Sequence, residues 1–156
     1  MKRNLLFLSA LYVATLLFMA IQKPVFMLYN AAEAPASPAA WASVALHGLK
    51  LDLTVAGYVA ALPLLLLLAG AWVRLPRRTW LAALDLYFGV VALFAAATFA
   101  VNVALYPHWG FPLDSTVLIY LSDPREAMAS VDWATGGRQT LLAALYGGAL
   151  WWTLHR

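Results

Sequence analysis

Between Leu53 and Val73 the chain carries no charged residue, and just before this run stands "HGLKLDLT", residues 47–54. A long charge-free apolar run leaves few options, because a stretch of this length reads as a helix crossing a bilayer. The same pattern recurs along the chain. The first run is "LLFLSALYVATLLFMAI", preceded by Lys2 and Arg3 and followed by more apolar sequence in "PVFMLY". A signal peptide has a similar outline, but this run is longer than a usual signal core and does not end in an adjacent small-residue cleavage site. It is read as a retained helix.

The third run is Leu86 to Tyr106, in which only Asn102 is strongly polar, and the fourth is "QTLLAALYGGALWWTL", residues 139–154. Composition agrees, since 64% of residues are hydrophobic and 11% are charged, against about half and a quarter in soluble domains. The expected fold is therefore all-α: a polytopic integral membrane protein with four transmembrane helices, about residues 5–28, 53–73, 86–106 and 139–154. The outer segments are 29–52 and 107–138, carrying short interfacial helices, and the 156 residues form a single membrane domain. Pro63 should kink the second span, a feature membranes tolerate when a neighbouring group satisfies the freed carbonyl.

Charge sidedness orients these spans. With the N-terminus cytoplasmic, the inner side holds Lys2, Arg3, Arg74, Arg77, Arg78, Arg156 and Asp85, summing to +5, and the outer side sums to −2, recovering the overall +3. Lys and Arg alone also favour this orientation, six against four, as the positive-inside rule requires. The turn "RLPRR" is its clearest element. Trp72, Trp80, Trp151 and Trp152 fall near the inner boundary, and Trp41, Trp109 and Trp133 lie in outer segments, where indole rings are favoured. The expected location is a bacterial inner (cytoplasmic) membrane.

Ala92, Ala96, Ala100 and Ala104 recur at four-residue spacing and form one smooth ridge, suited to close helix packing. In the outer segment 29–52, Ser37-Pro38 has the form of a helix N-cap with proline at the first helical position, so a short interfacial helix should lead into span two. On a helix His47 and Lys50 share a face, whereas Asp52 lies about 200° from Lys50 and does not pair with it easily. Asp52 is either an ionisable group turned inward at membrane depth, a functional position by default, or a solvated boundary marker in the headgroup zone. The second outer segment is broken by Pro107, Pro112 and Pro124 and is rich in aromatic residues, Tyr106, His108, Trp109, Phe111 and Tyr120 among them. Asp114-Ser115-Thr116 and Asp123-Pro124 have the form of further helix starts.

Familiar chemistry is missing from the sequence. There is no cysteine, no nucleotide-binding glycine loop, no "HExxH" and no "GxSxG", the last two being signatures of zinc and serine hydrolases. No basic stripe suggests nucleic acid. A metal set drawn from His47, Asp52, His108 and Asp114 has no supporting spacing. No carboxylate lies mid-membrane, which disfavours a proton relay or transporter core.

Three stretches, "QKPVFMLYN" at 22–30, "HGLKLDLTVAGY" at 47–58 and "ALYPHWGFPLD" at 104–114, together resemble the N-terminal membrane region of lipoteichoic acid synthase-like, sulfatase-family membrane enzymes of the Bacteroidetes type, and "YLSDPREAMASVDW" at 120–133 fits the same pattern. The resemblance covers almost the whole chain. It implies about five membrane helices followed by a large extracytoplasmic domain of the alkaline phosphatase superfamily. That domain works through a threonine nucleophile and a divalent metal, commonly manganese, and moves phosphoglycerol-type groups from a lipid. No threonine here, Thr54 and Thr116 included, matches that nucleophile motif, so no catalytic residue, metal ligand or cofactor is assigned to this chain. Asn102 stands where the family often has an acid.

The resemblance implies a membrane-anchoring and lipid-orienting module without its catalytic domain, as a fragment or truncated reading frame. Its partners would be the bilayer, lipid headgroups and a C-terminal extracytoplasmic catalytic domain. The alternative is a complete small four-span protein acting as a binding or assembly subunit. Candidate headgroup-contacting or domain-docking residues are His47, Lys50, Asp52, Tyr106, His108, Trp109 and Asp114. Lys50 could attract a phosphate, and Asp52 could hold a neighbouring helix or a headgroup hydroxyl.

Overall fold

A computed structural model describes residues 2–32, 34, 37–70, 72–73, 76–114 and 132–155. The described residues form four helices: α1 (Lys2–Tyr29), α2 (Pro38–Ala69), α3 (Arg77–Trp109) and α4 (Trp133–His155). Three of them, α1, α2 and α3, are long and apolar enough to cross a membrane. Helix α4 has 23 residues and is long enough, but Arg138, Gln139, two Gly-Gly pairs and three tryptophans dilute its apolar character. It does not stand with the other three.

Local chemistry sets the helix ends. Ser37 is extended, with φ −105° and ψ 139°, and its side chain accepts a hydrogen bond from the Ala40 N–H. It thereby satisfies a donor that helix geometry leaves unpaired, while Pro38 has no N–H to satisfy. Helix α3 stops at Gly110, whose φ of 72° is left-handed. Its N–H donates to the Tyr106 carbonyl at 2.8 Å, and glycine adopts this conformation without a Cβ penalty.

The expected separate interfacial helix before span two is replaced by continuity. Residues 38–52 are the first half of α2, which runs unbroken for 32 residues, roughly 48 Å at 1.5 Å per residue. "HGLKLDLT" therefore lies inside a helix and not at its start. Nothing in the stretch breaks a helix except Gly48, a weak former tolerated in a helix interior. Likewise α3 continues through "YPHW" to residue 109 with Pro107 in its last turn, and α4 begins at Trp133, before the expected start at 139. The expected helix starts at Asp114-Ser115-Thr116 and Asp123-Pro124, and the "RLPRR" turn at Arg74 and Leu75, lie wholly or partly outside the described residues.

Pro63 is fully buried within α2, and the helix continues through it. A proline at 63 leaves the carbonyl four residues earlier without its helical donor. That carbonyl belongs to Val59, and the Tyr87 hydroxyl of α3 donates to it at 3.1 Å.

Successive helices run antiparallel. In α1 and α2, Leu8 and Tyr12 face the level of Leu64 and Ala60 around an open apolar groove. In α3 and α4, Asp85 meets His155 at one end, and Gly147 meets Ala96 near the middle. Contact is richest within the α1–α2 and α3–α4 pairs, and α1 joins the two pairs by packing on α4. Ala92, Ala96 and Ala100 are buried, and a methyl group on Gly147 would stand 2.9 Å from the Ala96 Cβ, so small residues on both helices permit this approach. Ala104 is half-buried.

A core of Leu11, Phe88, Ala92, Leu150 and Leu154 holds α1, α3 and α4 together. The outward surface is apolar: Leu17, Leu65, Leu93, Phe94, Leu141 and Leu145 are all exposed. Contiguous exposed apolar surface of this kind marks a site that meets other apolar matter, and here it suits contact with a bilayer.

Candidate functional site

The Lys23 ammonium of α1 donates to the Asp52 carboxylate of α2, tying together residues 29 positions apart. Asp52 is 6% exposed. It is buried because it stands on the face of α2 that carries the other buried residues, Ala56, Val59 and Pro63. These positions follow helical spacing, so one stripe of α2 turns into the bundle. A carboxylate on such a stripe is costly unless paired, and Lys23 supplies the pair. The lysine stem passes over Gly48, where a methyl group would overlap its Cε. The glycine of "HGLKLDLT" leaves room for a lysine from another helix.

The pair sits on the wall of a cavity of about 500 Å³, within the usual range of ligand pockets, at the end of the bundle where α1 finishes and α2 begins. Gln22, Lys23, Phe26, Met27 and Asn30 line it from α1 and its end, Leu51 and Asp52 from α2, and Phe99, Asn102 and Tyr106 from α3, with Pro112 beyond. Phe26 meets Tyr106 edge to face at 4.8 Å. Gln22 donates to the Tyr146 hydroxyl at 2.7 Å, and Gln139 donates to the Tyr29 hydroxyl at 2.8 Å, so α4 braces α1 behind the cavity. The Arg138 guanidinium lies over the Tyr29 ring, 5.4 Å from its centre. The Asn102 side-chain oxygen accepts from the Leu113 N–H at 2.7 Å, folding the segment after α3 back against the cavity.

Among the residues singled out from sequence, Asp52 and Tyr106 line this cavity. His47 and Lys50 are exposed and do not line it. The His47 ring is already engaged by its own helix, with Nδ1 2.7 Å from the Ser43 carbonyl. Lys50 stands about 200° around the helix from Asp52, so it reaches neither Asp52 nor the cavity. His108 is exposed, Trp109 lies against Phe111 with ring centres 5.6 Å apart, and Asp114 is exposed. None of the three is among the cavity's lining residues.

Lys23, Gln22, Asn30 and Asn102 complete the polar lining. A signal for Lys23 in the sequence is its opposite sign to Asp52 near the adjoining ends of two consecutive apolar runs, although that does not give the register between them.

No family model, curated protein or solved structure matches the chain. The geometry must therefore speak for itself. Among the described residues no group of three His, Asp or Glu side chains is placed to hold a metal ion. What the cavity offers is binding: an apolar body formed by methionine and aromatic side chains, one ion pair, and several amides near the bundle's end.

Proposed function

We propose that this chain is the membrane module of a lipoteichoic acid synthase-like, sulfatase-family enzyme, anchoring it and orienting lipid-linked phospho- or sulfo-groups for a catalytic domain. In this reading α4 is the fourth span, the N-terminus is cytoplasmic, and the cavity opens towards the outer leaflet of a bacterial inner membrane. Any divalent metal, such as manganese, belongs to the catalytic domain.

One observation carries the proposal. The three stretches that bear the resemblance are far apart in sequence, yet each contributes to the lining of the same cavity: Gln22, Lys23, Phe26, Met27 and Asn30 from the first, Leu51 and Asp52 from the second, and Tyr106 and Pro112 from the third. Their meeting around a buried ion pair, and not only at one end of the bundle, supports a shared role. An ionisable pair near a membrane boundary, costly to keep there, is a functional position by default.

The test is the gene itself. Sequencing beyond the codon for Arg156 should reveal an open frame that continues through a further apolar span into a large domain with a threonine nucleophile and metal ligands. A stop codon at that point, with no such domain encoded nearby, would overturn the proposal in favour of a small binding or assembly subunit.

A further inference from the structure

The cavity has a feature that anchoring alone does not require. Asn30 is 3% exposed. Its side-chain nitrogen donates to the Phe26 carbonyl at 3.2 Å, while its side-chain oxygen is buried without a hydrogen-bond partner. Asn30 lines the same cavity as the Lys23–Asp52 pair. A buried acceptor is rarely left unpaired, so a ligand seated here should bring a donor to it.

Charge narrows the ligand further. Lys23 and Asp52 offset one another, and the two side chains are only 18% and 8% exposed. An anionic or cationic group entering beside them would leave an uncompensated charge in a poorly solvated space, which is costly. Beside the amides of Gln22 and Asn102, the lining is apolar and adaptable, with Met19, Met27, Phe26 and Leu51 around it. Methionine and aromatic side chains accommodate acyl chains readily.

We infer that the cavity holds the uncharged, hydroxyl-bearing glycerol and acyl part of a lipid, as in a monoacylglycerol, with a hydroxyl donating to Asn30 Oδ1 and the chain lying among the methionines and aromatics, and that the phospho- or sulfo-group of any lipid oriented here stays outside the cavity. The inference rests on the cavity being a lipid site. It does not require that a catalytic domain follow.

The protein is reconstituted in dioleoylphosphatidylcholine vesicles and photolabelled with a monoacylglycerol carrying a diazirine in its acyl chain, and the labelled peptides are mapped. Labelling should concentrate on residues 19–30 and 99–106. Unlabelled 1-oleoylglycerol should compete at least tenfold better than oleyl phosphate, which has no glycerol and whose charge would sit where the glycerol hydroxyls do. Asn30→Leu, close to isosteric but without the acceptor, should reduce labelling of these peptides at least fivefold and leave labelling of the outward face around Leu93 and Leu145 unchanged. Because Asn30→Leu could disturb folding, the competition on the wild-type chain stands as an independent readout. Better competition by oleyl phosphate would overturn the inference while leaving a lipid site in place. Labelling that no amphiphile displaces would be non-specific insertion from the bilayer and would overturn it. Neither result touches the gene-continuation test of the preceding proposal.

Discussion

Lys23 of α1 and Gly48 of α2 occupy one space: the lysine stem lies where a side chain at 48 would be, and its ammonium reaches Asp52 one helical turn further along α2. Gly48→Ala therefore sets two effects against each other. The alanine gains about 1 kcal/mol of helix propensity but forces the lysine off Asp52, leaving a buried charge poorly paired. The net effect should be destabilising, measured by reversible unfolding in detergent micelles. In a Lys23→Ala background the same substitution should change sign and stabilise by about 1 kcal/mol, since only the propensity gain remains. Destabilisation in both backgrounds would refute the shared-space explanation.

Removing one partner of a buried pair is far more damaging than replacing both. Lys23→Ala or Asp52→Leu alone should cost about 3–5 kcal/mol, and the double substitution should cost much less than the sum. A double-mutant cycle on unfolding free energy reads the coupling directly, and strict additivity would show that the pair does not tie α1 to α2.

Tyr87 supplies the hydrogen bond that Pro63 denies to Val59. Tyr87→Phe should cost about 1–3 kcal/mol, because a buried carbonyl is then left unsatisfied. With Pro63→Ala in place the alanine N–H can serve the carbonyl, and Tyr87→Phe should become nearly neutral. Equal penalties in the two backgrounds would mean that the hydroxyl has some other role.

Gly147 faces the Ala96 Cβ and the Ala92 carbonyl, the latter 3.4 Å from where a methyl group would stand, whereas Gly148 faces open space. Neither Ala96 nor the backbone can swing aside. Gly147→Ala should destabilise the α3–α4 contact by about 1–3 kcal/mol, as overpacking does. Gly148→Ala should be neutral or stabilising by up to about 1 kcal/mol, through helix propensity. Thermal unfolding of the two single variants decides the matter by the order in which they unfold.

Much of this architecture is legible in the sequence. Ser37-Pro38 marks the start of α2, the apolar runs mark α1, α2 and α3, and Pro63 with its freed carbonyl calls for a neighbouring donor. For Asp52 the sequence leaves an inward and a solvated position open, and the structure places it inward, on one face with the buried Ala56, Val59 and Pro63. Other features are harder to read. A polar cluster such as His47, Lys50 and Asp52 resembles a helix boundary, because charge near an apolar run normally signals the end of a span, yet α2 passes straight through it. Its polarity reflects two faces of one helix, with His47 and Lys50 outward and Asp52 inward. Lys23 was hidden for a related reason: its partner lies on another helix, and the register between helices depends on packing, which local patterns do not encode. Asn30 looks like an ordinary turn residue, and only the folded chain buries its unpaired oxygen.

The most direct measurement is lipid turnover by the natural full-length gene product in membranes, followed with a glycerolipid labelled in its phospho- or sulfo-linked headgroup and compared between wild type and Asp52→Asn. If the cavity orients the lipid, Asp52→Asn should lower turnover at least tenfold while the protein stays folded and inserted at wild-type levels. Wild-type turnover from a folded Asp52→Asn protein would contradict a lipid-orienting role for the cavity.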